Sequence, residues 1–410
     1  MSARRPALLF IFITLFLDIL GIGLVIPVLP RLVEQFRGDD VAAASHVVGW
    51  LGALYALMQF LFSPILGSLS DQHGRRPVIL VSLLGAGLDY FLMAWAPGLP
   101  WFFLARALSG LAGANLTAAT AYIADISPPE KRAANFGIIG AAFGLGFIAG
   151  PLAGGWLGNH SLRLPFVVAG AFTLANGLYG FFVLPESLTR ENRRPFSWAR
   201  ANPLASFSGL TRRPLVFGLA VALFLLNLGQ FGVHSTWVLY TGFRYQWSPA
   251  DVGLSLAVVG VTAAVVQGGL ARWIIPAIGE KRALIGGVIL NGVTLALYGL
   301  ATRGWMIYAI LPFGAVSGLA GQAAQSMVSH AVGPHEQGTV QGALASLNSV
   351  AGFVAPILAT SLFGYFITPQ APVPLPGIPF FLGSMLAVAS LAVALATLRR
   401  HPQAGLHRAA

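Results

Sequence analysis

No cysteine occurs in the 410 residues, which excludes disulfides and thiolate-ligated metals. Charge is almost as scarce. Asp, Glu, Lys and Arg make up 9% of the chain, where a typical globular protein carries about 25%. So few charges cannot cover a soluble fold of this size. Signatures of catalysis are missing too: there is no HExxH, GxSxG or P-loop, so neither intramembrane hydrolysis nor ATP drive has support. The stretch Gly144–Gly150 superficially matches a dinucleotide fingerprint, but it lacks the preceding strand and the following acid.

What is present is apolar length. Hydrophobic residues make up 56% of the chain, gathered into runs near the ~20 residues that cross a hydrocarbon core of roughly 30 Å. Twelve such runs are read at 7–30, 45–66, 78–96, 101–124, 136–158, 164–184, 214–240, 250–276, 283–302, 305–328, 338–366 and 376–398. The expected fold is an all-α integral membrane protein of twelve spanning helices in two pseudo-symmetric six-helix halves. The first run carries Asp18 and ends on Pro27 and Pro30 without a small-residue cleavage site, so it is expected to stay as the first helix.

The formal charge of +11 orients the chain and needs no nucleic-acid partner. With the N-terminus inside, only Arg31, Arg37, Arg163, Arg244 and Arg303 fall outside; 18 of the 24 basic residues fall inside, and Arg106 lies within a helix. This asymmetry predicts cytoplasmic termini.

Arg190–Arg213 is the one long polar interruption, and it divides the chain into a half at 1–189, a linker at 190–213, a half at 214–398 and a tail at 399–410. A shift of 205 residues superposes Gly74 on Gly279, Pro129 on Pro334, Gly137 on Gly342 and Pro151 on Pro356. Glycine and proline mark backbone geometry, which outlasts side-chain identity in a duplicated fold. Transporters are commonly built from such repeats, with the substrate between them.

Of the 13 acids, only Asp18 and Asp89 lie deep in a predicted span. A carboxylate at that depth costs at least about 2.5–3.5 kcal/mol unless it faces a cavity or a partner. Each is read as a proton carrier, with a structural pair as the alternative. Arg106 is the only deep cation, and Asp18 is its expected partner, directly or through water. Gly67–Pro77 is a polar knot between apolar runs and predicts a tight hinge, with Asp71 placed to cap a neighbouring helix or to bond Arg75 or Arg76. Gly146, Gly150, Gly154 and Gly155 give a smooth helix face, with Pro151 bending it. Deep uncharged polar residues, Gln59, Asn115, Gln230, Asn291, Gln322 and Gln325, could line a cavity for an amphipathic, aromatic ligand with Tyr55, Tyr90 and Trp237, or simply bond between helices. His234 is a candidate titrating group. His330, His335 and Glu336 have no metal spacing.

These residues carry a resemblance. Gly67-x-Leu69-x-Asp71-x-x-Gly74-Arg75-Arg76 resembles the signature loop of the major facilitator superfamily, and Arg106-x-x-x-Gly110 its fourth-helix motif. Gly146-x-x-x-Gly150-Pro151-x-x-Gly154-Gly155 resembles the motif of drug/proton antiporters. The runs Asp18–Pro30, Leu54–Gln59, Leu88–Tyr90, Trp237–Thr241 and Gln337–Asn348 narrow the likeness to the tetracycline/proton antiporters. That resemblance implies proton-driven export of tetracycline as a divalent-metal chelate. Essential acids then map to Asp18, Asp71 and Asp89, and polar contacts to Gln59 and Gln267. The proton gradient supplies the drive without a cofactor or a metal site of the protein's own, and a monomer suffices. Two departures stand out: Asn291 and Ala263 occupy positions where relatives often carry an acid and a histidine. Coupling is therefore expected to rest on the first half, or the substrate is not tetracycline. A broader multidrug or metabolite antiporter is the other reading.

Overall fold

The computed structural model describes residues 4–113, 115–198 and 213–401; the side chains of 4–7, 115–116, 129, 132–134 and 334–335 are not described. Among these residues there is no strand. Helices are the physical answer to lipid, because the bilayer core offers no water to satisfy a free backbone group. Eleven helical stretches are long and apolar enough to span a membrane. The predicted run 101–124 is covered by two further helices, Leu99–Ala112 and Asn115–Ile126, on either side of residue 114.

In chain order the helices are α1 Arg4–Val25, α2 Leu29–Phe36, α3 Val41–His73, α4 Arg75–Ala94, α5 Leu99–Ala112, α6 Asn115–Ile126, α7 Arg132–His160 and α8 Leu164–Val183. They continue with α9 Pro214–Tyr245, α10 Pro249–Ala263, α11 Ala271–Ile278, α12 Glu280–Leu300, α13 Gly304–Ser317, α14 Leu319–His330, α15 Pro334–Phe366 and α16 Ile378–Arg400. Prolines sit in the first turn of α5, α8, α9, α15 and α16, where the missing N–H has no cost.

The contacts sort into two compact units. The first holds residues 1–40, 54–203 and 247–260, and the second holds 41–53, 204–246 and 261–410. In the first unit α1 lies along α7 and α8, and α4 along α8. Its core gathers Phe10, Ile11, Leu15, Ile79, Leu83 and Tyr122. In the second, α9 lies along α15 and α16, and α12 along α16, around Leu219, Leu284, Ala323, Val328 and Ala343.

The tight hinge expected at Gly67–Pro77 is narrower than the polar knot itself. Helix α3 runs on through Asp71 to His73, α4 begins at Arg75, and the reversal rests on Gly74 alone, at φ 106°. Polar residues end a helix in water, but here buried partners keep them helical. Gly279 does the same before α12, at φ 83°. The 205-residue echo is thus a shared backbone geometry that a side chain would strain.

Candidate functional site

The knot becomes a charge cluster once α3, α4, α6 and α8 are assembled. Arg75 is 8% exposed, and its Nη1 lies 2.6 Å from Asp71 Oδ1. The same nitrogen donates to Ser70 Oγ at 2.6 Å, and Nε donates to Asp125 Oδ2 at 3.2 Å. Asp71 therefore takes the Arg75 partnership, while the helix N-terminus goes to Glu186. The Glu186 carboxylate accepts the backbone N–H of Arg75 at 2.9 Å and that of Arg76 at 3.3 Å, a charged cap for α4. A Cβ at Gly74 would meet the Glu186 carboxyl carbon at 2.7 Å, a second reason for glycine there. Arg76 turns away, donating to the Phe181 carbonyl at 2.6 Å. Gly67 lies on α3 facing Thr117. Nothing local in the chain signals these pairings, because Asp125 and Glu186 stand 50 and 111 residues from Arg75.

Deeper in the same unit, α4 and α5 join Asp89 to Arg106 through one hydroxyl. Ser109 Oγ donates to Asp89 Oδ2, and Arg106 Nη2 donates to Ser109 Oγ at 3.0 Å. Arg106 also reaches Met93 Sδ at 3.3 Å and lies 5.5 Å from the centre of the Tyr55 ring. Asp89 is 3% exposed, and its Oδ1 has no hydrogen-bond partner among the described residues. Arg106 is thus linked to Asp89 through Ser109, a link the sequence did not point to. Ser109 was missed, although it stands one turn after Arg106 on the same helix face. Asp18 is half-buried on α1, three residues before Gly21, where the Tyr90 hydroxyl closes against the helix. The charges of Asp18, Asp89 and Arg106 all act on Tyr55 and Tyr90.

The antiporter glycines hold this unit together. Cβ atoms at Gly146, Gly150 and Gly154 would strike Ile19, Gly23 and Leu24 of α1, so α7 lies against α1 backbone to backbone. A Cβ at Gly155 would strike Ala250 instead. Pro151 sits inside α7, its ring against Gly23.

A glutamine meets a glycine in each unit. Gln59 Nε2 lies 3.4 Å from both the Tyr55 hydroxyl and the carbonyl of Gly113, which caps α5. Gly318, 205 residues on, separates α13 from α14, and a Cβ there would lie 2.5 Å from Gln267 Nε2. Gln267 sits in a π-helical turn, Ala264–Leu270, of the kind found at functional positions. Gln322 donates to the Gln267 carbonyl at 3.4 Å.

The second unit encloses a cavity of about 320 Å³ between α9, α14 and α15, lined by Phe224, Asn227, Gln322, Gln325, Leu347 and Asn348 among others. Asn227 donates to Asn348 at 2.6 Å, and Gln325 bonds Gln341. The polar part of this lining is made of amides. Gln322 and Gln325 were read from the sequence; Asn227 and Asn348 were missed, although Asn227 is an amide inside an apolar run, three residues before Gln230. Gln230 pairs with His234 at 2.9 Å, and Asn291 donates to Ser317 at 3.3 Å. Trp237, at 5% exposure, is packed edge-on to Tyr298 and Phe380, in an aromatic core and not on the cavity wall. The side chain of Asn115 lies outside the described residues.

The arrangement is matched by known proteins. The profile of the Major Facilitator Superfamily aligns with residues 11–356. The class C tetracycline resistance protein of Escherichia coli is 42% identical over 357 residues, 87% of this chain and 89% of that one. The chain belongs to the Major Facilitator Superfamily, in the family of the tetracycline resistance proteins. The class D protein of Salmonella ordonez is 38% identical over 360 residues, 88% of this chain and 90% of its own. Among superfamily structures, a human organic anion transporter matches at TM-score 0.70 and 26% identity, covering 96% of this chain and all of that one. A bacterial homologue of the human lysosomal transporter Spinster matches in fold at TM-score 0.78, with full coverage of both. As a superfamily member the chain is a multi-pass transporter of a bacterial drug-efflux family.

Proposed function

We propose that the protein exports tetracycline from the cytoplasm in exchange for protons, the drug arriving as a chelate with a divalent ion. The halves at 1–189 and 214–398 alternate access, with the termini in the cytoplasm and the chain acting as a monomer in the inner membrane. The observation that carries this reading is the buried chain Asp89–Ser109–Arg106. With Asp89 ionised, the Arg106 charge is offset. With Asp89 protonated, the cluster is one charge more positive and repels a positively charged chelate more strongly. Proton and drug therefore compete, and each shifts the conformational equilibrium by its different affinity for the two states. Asp18 shares the proton load, while Asp71, Arg75, Asp125 and Glu186 hold the inner ends of their helices until the drug or the proton favours release. Gln59, Gln267, Tyr55, Tyr90 and the amides around the second-unit cavity contact the drug, where hydrogen bonds read its oxygen-rich edge.

Inverted vesicles carrying the protein should accumulate tetracycline against its gradient, faster with a divalent ion present, and lose it when an uncoupler is added. Uptake that ignores the uncoupler would sink the antiport reading.

A further inference from the structure

A second buried carboxylate lies at the other ends of the first-unit helices, away from the Arg75 cluster. Glu34 sits on the short α2 and is 6% exposed. Its Oε2 accepts from Arg31 Nη1 at 2.9 Å, and Arg31 Nη2 donates to the Trp247 carbonyl at 2.8 Å. One guanidinium thereby ties α2 to the connection between α9 and α10. The tie sits on close packing: Asn159, ending α7, accepts the Ala250 N–H at 3.2 Å, and Val28, 0% exposed, fills the notch left by Gly158. The charges acting on Glu34 are Arg31 and Asp39. Arg163, beside α2, is committed to the carbonyls of Ala94 and Ala96 and lies over the Phe36 ring. Asp251 of α10 is held by Ser248.

We propose that Glu34 is a proton-binding site that controls this tie. A proton added at Oε2 turns the carboxylate that orients Arg31 into a neutral acid. The charge-assisted bond is lost, the guanidinium swings to water, and the Trp247 carbonyl loses its donor. Acid on this face releases the start of α10 from α2, and a neutral solution holds it. The inference rests on the antiport reading for its purpose: with the N-terminus cytoplasmic this face is external, so an arriving proton opens the path by which Asp18 and Asp89 are loaded.

The absence of cysteine gives a direct test. A single Val28→Cys reporter in the full-length protein, in right-side-out vesicles, is labelled with a membrane-impermeant maleimide over a range of external pH. Adding Glu34→Gln should give fast labelling at every pH. The ratio of variant to parent rates, which cancels thiol ionisation, should be large at neutral pH and fall to one in acid. Arg31→Gln should behave as Glu34→Gln does, and Glu34→Asp should restore the parent's dependence. A ratio of one throughout, or an Arg31→Gln chain that labels as slowly as the parent at neutral pH, overturns the proposal. Labelling needs no drug, so failed tetracycline uptake by the unmodified protein would sink the function and leave this result standing.

Discussion

The two units solve the same problem with different chemistry. In the first, ionised groups hold the helix ends and the interior: Arg75 between Asp71 and Asp125, and Asp89 with Arg106 through Ser109. In the second, the equivalent interior is amide against amide, with Asn227 on Asn348 and Gln325 on Gln341. Even the echo at the helix ends is inverted. Shifting Arg75 and Asp125 by 205 residues gives Glu280 and His330, which meet at 3.4 Å with base and acid exchanged. Duplication kept the backbone, as Gly74 and Gly279 show, and left the charge to diverge. On the proposed function, protons would be carried in the first unit and the drug read in the second.

Breaking that division should cost most at Asp89. Asp89→Asn keeps the Ser109 contact but removes the titration, and uncoupler-sensitive uptake in vesicles should fall to the level of vesicles without the protein. Full activity would move coupling elsewhere. Next comes Arg75→Ala, which strands two carboxylates. Breaking a fully buried pair costs about 3–5 kcal/mol, and Asp71 is a third exposed, so a loss of about 2–3 kcal/mol in thermal stability is expected. An unchanged melting temperature would show the cluster to be idle. Asn227→Ala removes one neutral hydrogen bond worth about 1 kcal/mol, which raises the KM for tetracycline roughly fivefold and leaves the pH profile alone. A shifted pH profile would contradict the division of labour. Smallest is His330→Gln at the inverted, half-exposed pair, expected within about 0.5 kcal/mol of the parent. A loss as large as that of Arg75→Ala would make the two ends equivalent after all.

Much of this was legible in the chain. Eleven spans, the costly depth of Asp89 and Arg106 and the close-packing glycines of α7 all follow from hydropathy, charge and residue size along the sequence. The partners were not. Ser109 joins Arg106 to Asp89, and a serine in a helix carries no sign of what it faces. Nothing in the chain signals that Arg31, the partner of Glu34, also reaches the Trp247 carbonyl 216 positions away.

The sequence alone determined that this chain crosses a membrane many times, in two related halves, with its deep carboxylates and Arg106 in the first. Those properties depend on residues counted along the chain, since transfer to lipid is paid residue by residue. Which acid meets which base, and which glycine admits which helix, was decided only in the tertiary structure. Hydrogen bonds and close contacts act over about 3 Å, and helices bring together residues that the chain keeps far apart.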